Sequence, residues 1–229
     1  MSVSSYLVQA GLMSVVASQQ INLAEFVAEV TELQQQLQDF VQQQQPEVQW
    51  QYQVPELGEG GACSLFGQLA AEPYDLAATL GGNNPTNLAF LQRMQAVVNF
   101  YQQRSASDWF GIYQKRQVSA AVLVKLAYFG APSRAEFPIT AEFAQISNNS
   151  SVAINGHARI IAEVASYVAT GGEYYTCDPK VQAEACLPLF AANGDLIGII
   201  DAEAFTPNLY TGSEFALLIA VVTVLPSLF

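Results

Sequence analysis

The chain has 229 residues, of which 51% are hydrophobic and 12% are charged, and 20 acidic against 8 basic side chains give a formal net charge of −12. A chain of this length can bury a substantial core, either as one elaborated domain or as two small ones. The acidic balance argues against a nucleic-acid-binding surface, because no basic stripe exists to neutralise phosphates, and it disfavours anionic membranes for the same reason.

Targeting and redox signals in the sequence predict a cytoplasmic protein. The first residues carry no Lys or Arg, and the apolar stretch after them is interrupted by glutamine and serine, which is atypical of a signal peptide. The most hydrophobic segment, 215–225, is shorter than the ~18 to 20 residues of a membrane span, so it predicts a buried helix. Three cysteines, Cys63, Cys177 and Cys186, without an export signal predict reduced thiols.

Residues 1–85 are predicted to form a helical extension. Apolar residues in 23–40 recur at spacings of three and four, which is typical of a helix with one apolar seam. Asn22 followed by Glu25 resembles a helix-starting cap pair, and Pro46 marks the end of the helix. The seam suits packing on another helix, in the same chain or in a second subunit, so a homodimer through these helices is one of two predicted arrangements.

The segment that follows the long helix is predicted to be connecting structure. Residues 46–85 are rich in Gly, Pro and Asn, and a short apolar helix is predicted at 64–71. Cys63 lies in this segment, and the sequence assigns it no role. We therefore expect the chemistry of the chain to lie after residue 85.

Residues 86–229 are predicted to form a second unit of the α+β class. Apolar residues at helical spacing predict a helix at 87–103, and Thr211 followed by Glu214 resembles a capping box before a final apolar helix. Aliphatic, aromatic and alternating content predicts six strands, at 107–114, 120–129, 135–140, 158–165, 183–190 and 195–203. Strands bracketed by helices favour an antiparallel sheet with helices packed on one face.

Strand parity shows which chemically notable side chains converge. Side chains alternate between the faces of a strand, so residues two apart share a face. Three predicted strands each carry such a pair: Trp109 with Tyr113, Glu184 with Cys186, and Asp201 with Glu203. If these faces meet, they enclose a cavity with an aromatic wall, three carboxylates and a thiol, which indicates a small-molecule site.

These residues lie in four motifs, which are Trp109-x-Gly-x-Tyr113, Cys177-Asp-x5-Glu184, Leu-Pro-Leu in the next strand, and Gly-x-Leu-Ile-Gly-Ile-Ile-Asp201-x-Glu203. Together the motifs resemble those of the GAF-domain free methionine-(R)-sulfoxide reductases. The likeness covers roughly residue 87 to the end and is weak between 141 and 172. It implies a GAF-like six-stranded antiparallel sheet with helices on one face, and no cofactor or metal.

The resemblance also implies a role for each residue. Cys177 would attack the sulfoxide sulfur, Trp109 and Tyr113 would cage its methyl group, and Glu184 and Asp201 would bind polar groups and help protonate the departing oxygen. Glu203 stands where the family more often has Asp. Attack gives a sulfenic acid, which a second thiol condenses with, and a thioredoxin-like reductant regenerates the thiol. Crowded carboxylates in a low-dielectric pocket have raised pKa values, so one of them can carry the proton near neutrality.

The chain departs from the family at two upstream cysteines. Their positions fall near Arg134 and within 142–149, and neither place holds a cysteine. A resolving thiol would have to be Cys186 or Cys63, although Cys186 is also typical of a small core side chain. Two hypotheses stay open: a reductase of free methionine sulfoxide, and a GAF ligand-binding module that has lost redox cycling and signals through its amino-terminal helices.

Overall fold

The amino-terminal part of the chain is helical. The computed structural model describes residues 1–58, 64–174 and 178–229. It begins with helices α1 (Val3–Gln9), α2 (Met13–Ser18) and α3 (Leu23–Gln43). The Asn22 side chain accepts a hydrogen bond from the Ala24 amide at 3.1 Å, so α3 starts at the predicted cap and ends before Pro46.

The remaining elements are, in chain order, β1 (Gln51–Tyr52), β2 (Pro55–Leu57), β3 (Ser64–Leu69), β4 (Tyr74–Asp75), α4 (Leu76–Leu80), α5 (Pro85–Gln102), β5 (Trp109–Gln117), β6 (Ala121–Phe129), β7 (Glu136–Pro138), α6 (Asn148–Asn155), β8 (Arg159–Ile161), α7 (Val164–Ala169), β9 (Ala183–Phe190), β10 (Leu196–Ala204) and α8 (Gly212–Val224). Strands β5 to β10 form one six-stranded sheet in the order β7-β6-β5-β10-β9-β8, and every pairing in it is antiparallel. The predicted α+β architecture is confirmed.

The two faces of this sheet are covered by different helices. One face is apolar: Phe110, Ile112, Ile200 and Ala202 are fully buried in the main core, which includes side chains of the long helices α5 and α8. The opposite face carries Trp109, Tyr113 and Cys186 and packs on the short helix α6. Alternation along the strands therefore separates a structural face from a second, chemically richer face.

The apolar seam of α3 is buried within the same chain. Phe26 stacks on Phe215 of α8 with ring centroids 5.3 Å apart, and the Gln34 amide donates to the Thr223 hydroxyl at 2.6 Å. The main core joins side chains from the first 85 residues to those of the sheet. The intramolecular arrangement is thus the one seen, while the homodimer and the domain boundary after residue 85 stay predictions.

Three local predictions were wrong. Residues 64–69 form strand β3, paired with β2, because hairpin pairing overrides a short apolar pattern. The predicted strand 158–165 ends at Ile161, and helix α7 begins at Val164. The Glu214 carboxylate does not form a capping box; it accepts hydrogen bonds from the Ser105 hydroxyl and the Ala106 amide at 2.7 and 2.8 Å.

The final apolar segment is helix α8, whose side chains after the first turn are buried in the main core except for Thr223. Within the described part of the chain, no helix is both long enough and apolar enough to cross a membrane.

Candidate functional site

Three carboxylates lie side by side on the face of the sheet that packs on α6. Strand register places Glu203 of β10 directly opposite Glu184 of β9 and opposite Trp109 of β5, and Asp201 lies two residues before Glu203 on the same face. Glu184 and Asp201 are 5% and 4% exposed. Like charges directly across a strand pair are destabilising, so this arrangement requires protonation, hydrogen-bond donors or a cationic ligand.

Helix α6 supplies two of those donors from its first turn. The Asn148 amide donates to Glu184 Oε1 at 2.7 Å, and the Asn149 amide donates to Asp201 Oδ2 at 3.0 Å. Ser147 caps the helix, since its hydroxyl accepts from the Ser150 amide at 3.3 Å. The positive end of the helix dipole therefore points at the acidic cluster.

Two acceptor atoms in this cluster have no hydrogen-bond partner among the described residues. They are Asp201 Oδ1 and Asn148 Oδ1, both on residues more than nine-tenths buried. A buried acceptor without a donor costs free energy, so the pair calls for a ligand that donates hydrogen bonds. No three acidic, His or Cys side chains in the described ranges are arranged to hold a metal ion.

These atoms line a cavity of about 20 Å³ between the sheet and α6. Its lining includes all the predicted substrate contacts: Trp109, Tyr113, Glu184, Asp201 and Glu203. The volume is enough for one water-sized group. Arg134, 7% exposed, adds a positive charge to the same wall.

The aromatic wall is held in place by its own hydrogen bonds. Trp109 Nε1 donates to the Ala131 carbonyl at 3.0 Å, and the Tyr113 hydroxyl donates to the Arg134 carbonyl at 3.3 Å. The Trp109 ring lies over Gly111, where an added Cβ would come within 2.3 Å of the indole. The Trp-x-Gly spacing therefore lets the indole fold back over the strand.

Burial dominates the electrostatics of the three acids. It raises the pKa of Asp201 well above its usual range, and the neighbouring Glu184 raises it further. Burial also raises the pKa of Glu203, with Asp201 and Glu184 adding to the effect and Lys125 opposing it. The pKa of Glu184 is raised by burial, although hydrogen bonds from Tyr174 and Asn148 lower it in part. Burial and mutual repulsion therefore favour the protonated form of these carboxyls, which suits them to donate a proton.

Cys186 is less suitably placed for chemistry in the cavity than the three carboxylates are. Cys186 lies on the same face, directly across from Asp201, but it is fully buried and does not line the cavity. Burial, followed by Asp201 and Glu184, raises the pKa of its thiol well above the usual range, so it is a poor source of thiolate. Cys177 and Cys63 lie outside the described residues.

Sequence reasoning missed Asn148, Asn149 and Tyr174. The run Ser147-Asn-Asn-Ser before apolar Val152 is a helix-start signal that could have located α6. The contacts of its amides could not be found in this way, because they bridge 36 and 52 positions of the chain.

Neither a protein-family model nor a curated protein matches the sequence. Among solved structures, the chain is similar to a type II free methionine-R-sulfoxide reductase from Thermoplasma acidophilum, with 19% identity and a TM-score of 0.53, covering 62% of this chain and 93% of that one. It is also similar to the free methionine-R-sulfoxide reductase from Neisseria meningitidis in complex with its substrate, with 16% identity and a TM-score of 0.52, covering 61% of this chain and 77% of that one. A structure described as a GAF domain matches at 14% identity with a TM-score of 0.49, over 60% and 76% of the two chains. At these identities the likeness to the two reductases shows the fold alone: the chain has the GAF-like fold of free methionine-R-sulfoxide reductases.

Proposed function

We propose that the chain binds a small molecule whose ammonium group enters the acidic cavity between the sheet and α6, and that free methionine sulfoxide is such a ligand. The observation that carries the proposal is Asp201 Oδ1, which has no hydrogen-bond partner among the described residues and is buried in an acidic cluster beside two fixed aromatic rings. An ammonium group offers three donors and a positive charge. It therefore donates hydrogen bonds to Asp201 Oδ1 and Asn148 Oδ1, and its positive charge offsets the repulsion between the carboxylates.

The other walls suit the remaining parts of this ligand. Trp109 and Tyr113, with ring centroids 6.4 Å apart, present aromatic surface to a polarised methyl group. The buried Arg134 gives the cavity a positive charge for the ligand's carboxylate. The substrate-bound structure from Neisseria meningitidis shares the fold.

We propose that reduction, where it occurs, uses Cys177. Its thiolate attacks the sulfoxide sulfur while a carboxyl of the cluster protonates the departing oxygen, which leaves as water and gives a sulfonium with a bond between the two sulfurs. Water then attacks the Cys177 sulfur and breaks that bond, which releases methionine and a proton and leaves a sulfenic acid on Cys177. A thioredoxin-like dithiol then reduces the sulfenic acid, releases water and becomes a disulfide. Cys186 takes no part, because its neutral, buried thiol is poorly suited to attack.

A binding module without turnover is the second candidate. The observation that favours it is that no cysteine lines the cavity within the described residues. In that case the ligand is held and released unchanged, and the amino-terminal helices, of which α3 packs on α5 and α8, transmit its presence.

One experiment separates these functions. Reduced protein is incubated with the (R) and (S) forms of free methionine sulfoxide, and methionine, intact protein mass and binding heat are measured. The reductase predicts methionine from the (R) form and one added oxygen on the protein; Cys177→Ser abolishes both, and the control Cys186→Ala keeps both. Heat without methionine indicates the binding module. We expect Asp201→Asn to bind about tenfold to a hundredfold more weakly, and no heat with the wild type would refute both candidates.

A further inference from the structure

A second cavity adjoins the acidic one. Its volume is about 320 Å³, and it shares Trp109, Ser133 and Glu203 with the acidic cavity of about 20 Å³. Pockets for small molecules usually measure about 300 to 1,000 Å³. The acidic cavity alone falls far below that range, whereas the second cavity reaches it.

Lys125 organises the wall between the two cavities. Its ammonium group donates to the Ser133 carbonyl and hydroxyl at 2.9 and 2.7 Å and lies 5.8 Å from the centroid of the Trp109 ring. Its charge also acts on Glu203, whose pKa it lowers. Lys125 is fully buried. Its ammonium group hydrogen-bonds Ser133, lies near the Trp109 ring and acts electrostatically on Glu203, which are the three residues that the cavities share. The wall between the two cavities is therefore held in place by Lys125.

The far wall of the second cavity comes from the amino-terminal part of the chain. The β2–β3 hairpin contributes Pro55 and Leu69, and the sheet side contributes Pro132 and Phe205. The Tyr52 hydroxyl, just before the hairpin, donates to the Lys125 carbonyl at 2.8 Å. The hairpin segment is thus tied to the same residue that organises the wall between the two cavities.

Charged groups of the second cavity have partners of their own. Lys180 lies 3.8 Å from the Asp178 carboxylate, and Asp108 accepts a hydrogen bond from the Phe205 amide at 2.7 Å. What the cavity offers is apolar surface next to the Glu203 carboxylate. Its chemistry suits the uncharged tail of a molecule whose cationic head lies among the acids.

We infer that the second cavity receives an apolar tail on the ligand's sulfur, so that the ligand class is S-alkyl homocysteine sulfoxides with tails longer than methyl. The inference rests on the proposed function, because the ammonium head must first bind in the acidic cavity. Trp109 lines both cavities. An alkyl tail that begins between the Trp109 and Tyr113 rings therefore extends past Trp109 into the second cavity. The amino-terminal hairpin then sets the length of tail that is accepted.

Calorimetry with the sulfoxides of methionine, ethionine and S-butyl-homocysteine tests the inference. Each added methylene is expected to tighten binding about fourfold, because it moves from water into apolar surroundings. Leu69→Trp fills the second cavity, so the affinity ratio of the butyl to the methyl ligand should fall to near one. The matched control is Leu57→Trp: it lies on the same hairpin, is similarly exposed at 43% against 50%, and lines a different groove. That variant should keep the wild-type ratio.

The outcomes distinguish this inference from the proposed function. Binding of methionine sulfoxide with no gain for longer tails overturns the inference alone, and so does an unchanged ratio in a folded Leu69→Trp protein. If that variant fails to fold, Pro132→Trp fills the cavity from the opposite wall and must lower the ratio. Failure of every sulfoxide to bind the wild type overturns both proposals.

Discussion

The two faces of the central sheet differ in the side chains that they carry: one face is apolar and the other is acidic. On one face, Phe110, Ile112, Ile200 and Ala202 are fully buried among the apolar side chains of the main core. On the other face, strands β5, β9 and β10 present Trp109, Glu184, Asp201 and Glu203 to the acidic cavity beside the short helix α6. Neighbouring residues of one strand thus belong to environments that are both buried but differ in polarity and charge.

The difference teaches where stability and chemistry reside. The apolar face gains free energy from every side chain that leaves water, in proportion to the area buried. The acidic face works against folding, because it desolvates carboxylates and places them opposite one another. Such a face stays folded only when the rest of the core is strong, and we attribute its composition to ligand binding.

The largest effect is expected on the apolar face. Phe110 is fully buried and stacks on Tyr101 with ring centroids 4.1 Å apart. Phe110→Ala should lower the free energy of unfolding by about 3 to 5 kcal/mol, from lost burial and from the cavity left behind. Urea denaturation measures it. The control Val118→Ala, at a position 56% exposed, should cost less than about 0.5 kcal/mol. A loss under about 1 kcal/mol for Phe110→Ala would contradict the assignment of this face as the stabilising one.

On the acidic face, replacing a carboxylate is expected to raise the free energy of unfolding. The pKa of Asp201 is raised in the folded state, so the folded chain retains a proton that the unfolded chain releases. Its contribution to stability is therefore fully present below the unfolded pKa, about 4, and is lost as pH rises through the folded pKa. Asp201→Asn cannot titrate, and it should be about 1 kcal/mol more stable than the wild type at pH 8.

Denaturation at pH 4 and pH 8 tests this sign. The advantage of Asp201→Asn should be small at pH 4 and should grow toward pH 8. Glu29→Gln, at an exposed position on α3, should change the free energy of unfolding by less than about 0.5 kcal/mol. A variant less stable than the wild type at pH 8 would show that the native carboxylate stabilises the fold, and the contrast between the faces would then be lost.

The sequence predicted what strand alternation and helix periodicity control. Strand β9 was predicted with its observed bounds, and parity correctly placed Glu184, Asp201 and Glu203 on one face. Sequence analysis failed where contact with another segment decides the structure. Residues 64–69 are a strand because β2 pairs with them. The amides of α6 reach acids that no local pattern connects to them.

The smallest predicted effect compares helix caps on the two faces. Ser147 caps α6 at the acidic face through its hydroxyl, so Ser147→Ala should cost about 0.5 to 1 kcal/mol and displace the amides bound to Glu184 and Asp201. At α8, on the apolar face, the Thr211 side chain makes no cap hydrogen bond to the described helix, and Glu214 is bound to the 105–106 turn instead. Thr211→Ala should therefore cost less than about 0.5 kcal/mol.

The two variants also differ in their effect on binding. Ser147→Ala should weaken methionine sulfoxide binding, because the first turn of α6 holds two of the acids, whereas Thr211→Ala should leave binding unchanged. Urea denaturation and calorimetry on both proteins check this. Equal losses of stability in the two variants would mean that the free energy contributed by a capping residue does not depend on its cap hydrogen bond. A larger loss for Ser147→Ala, together with weaker binding, would show that a short polar helix on the acidic face depends on its own cap, whereas α8 is held by the core around it.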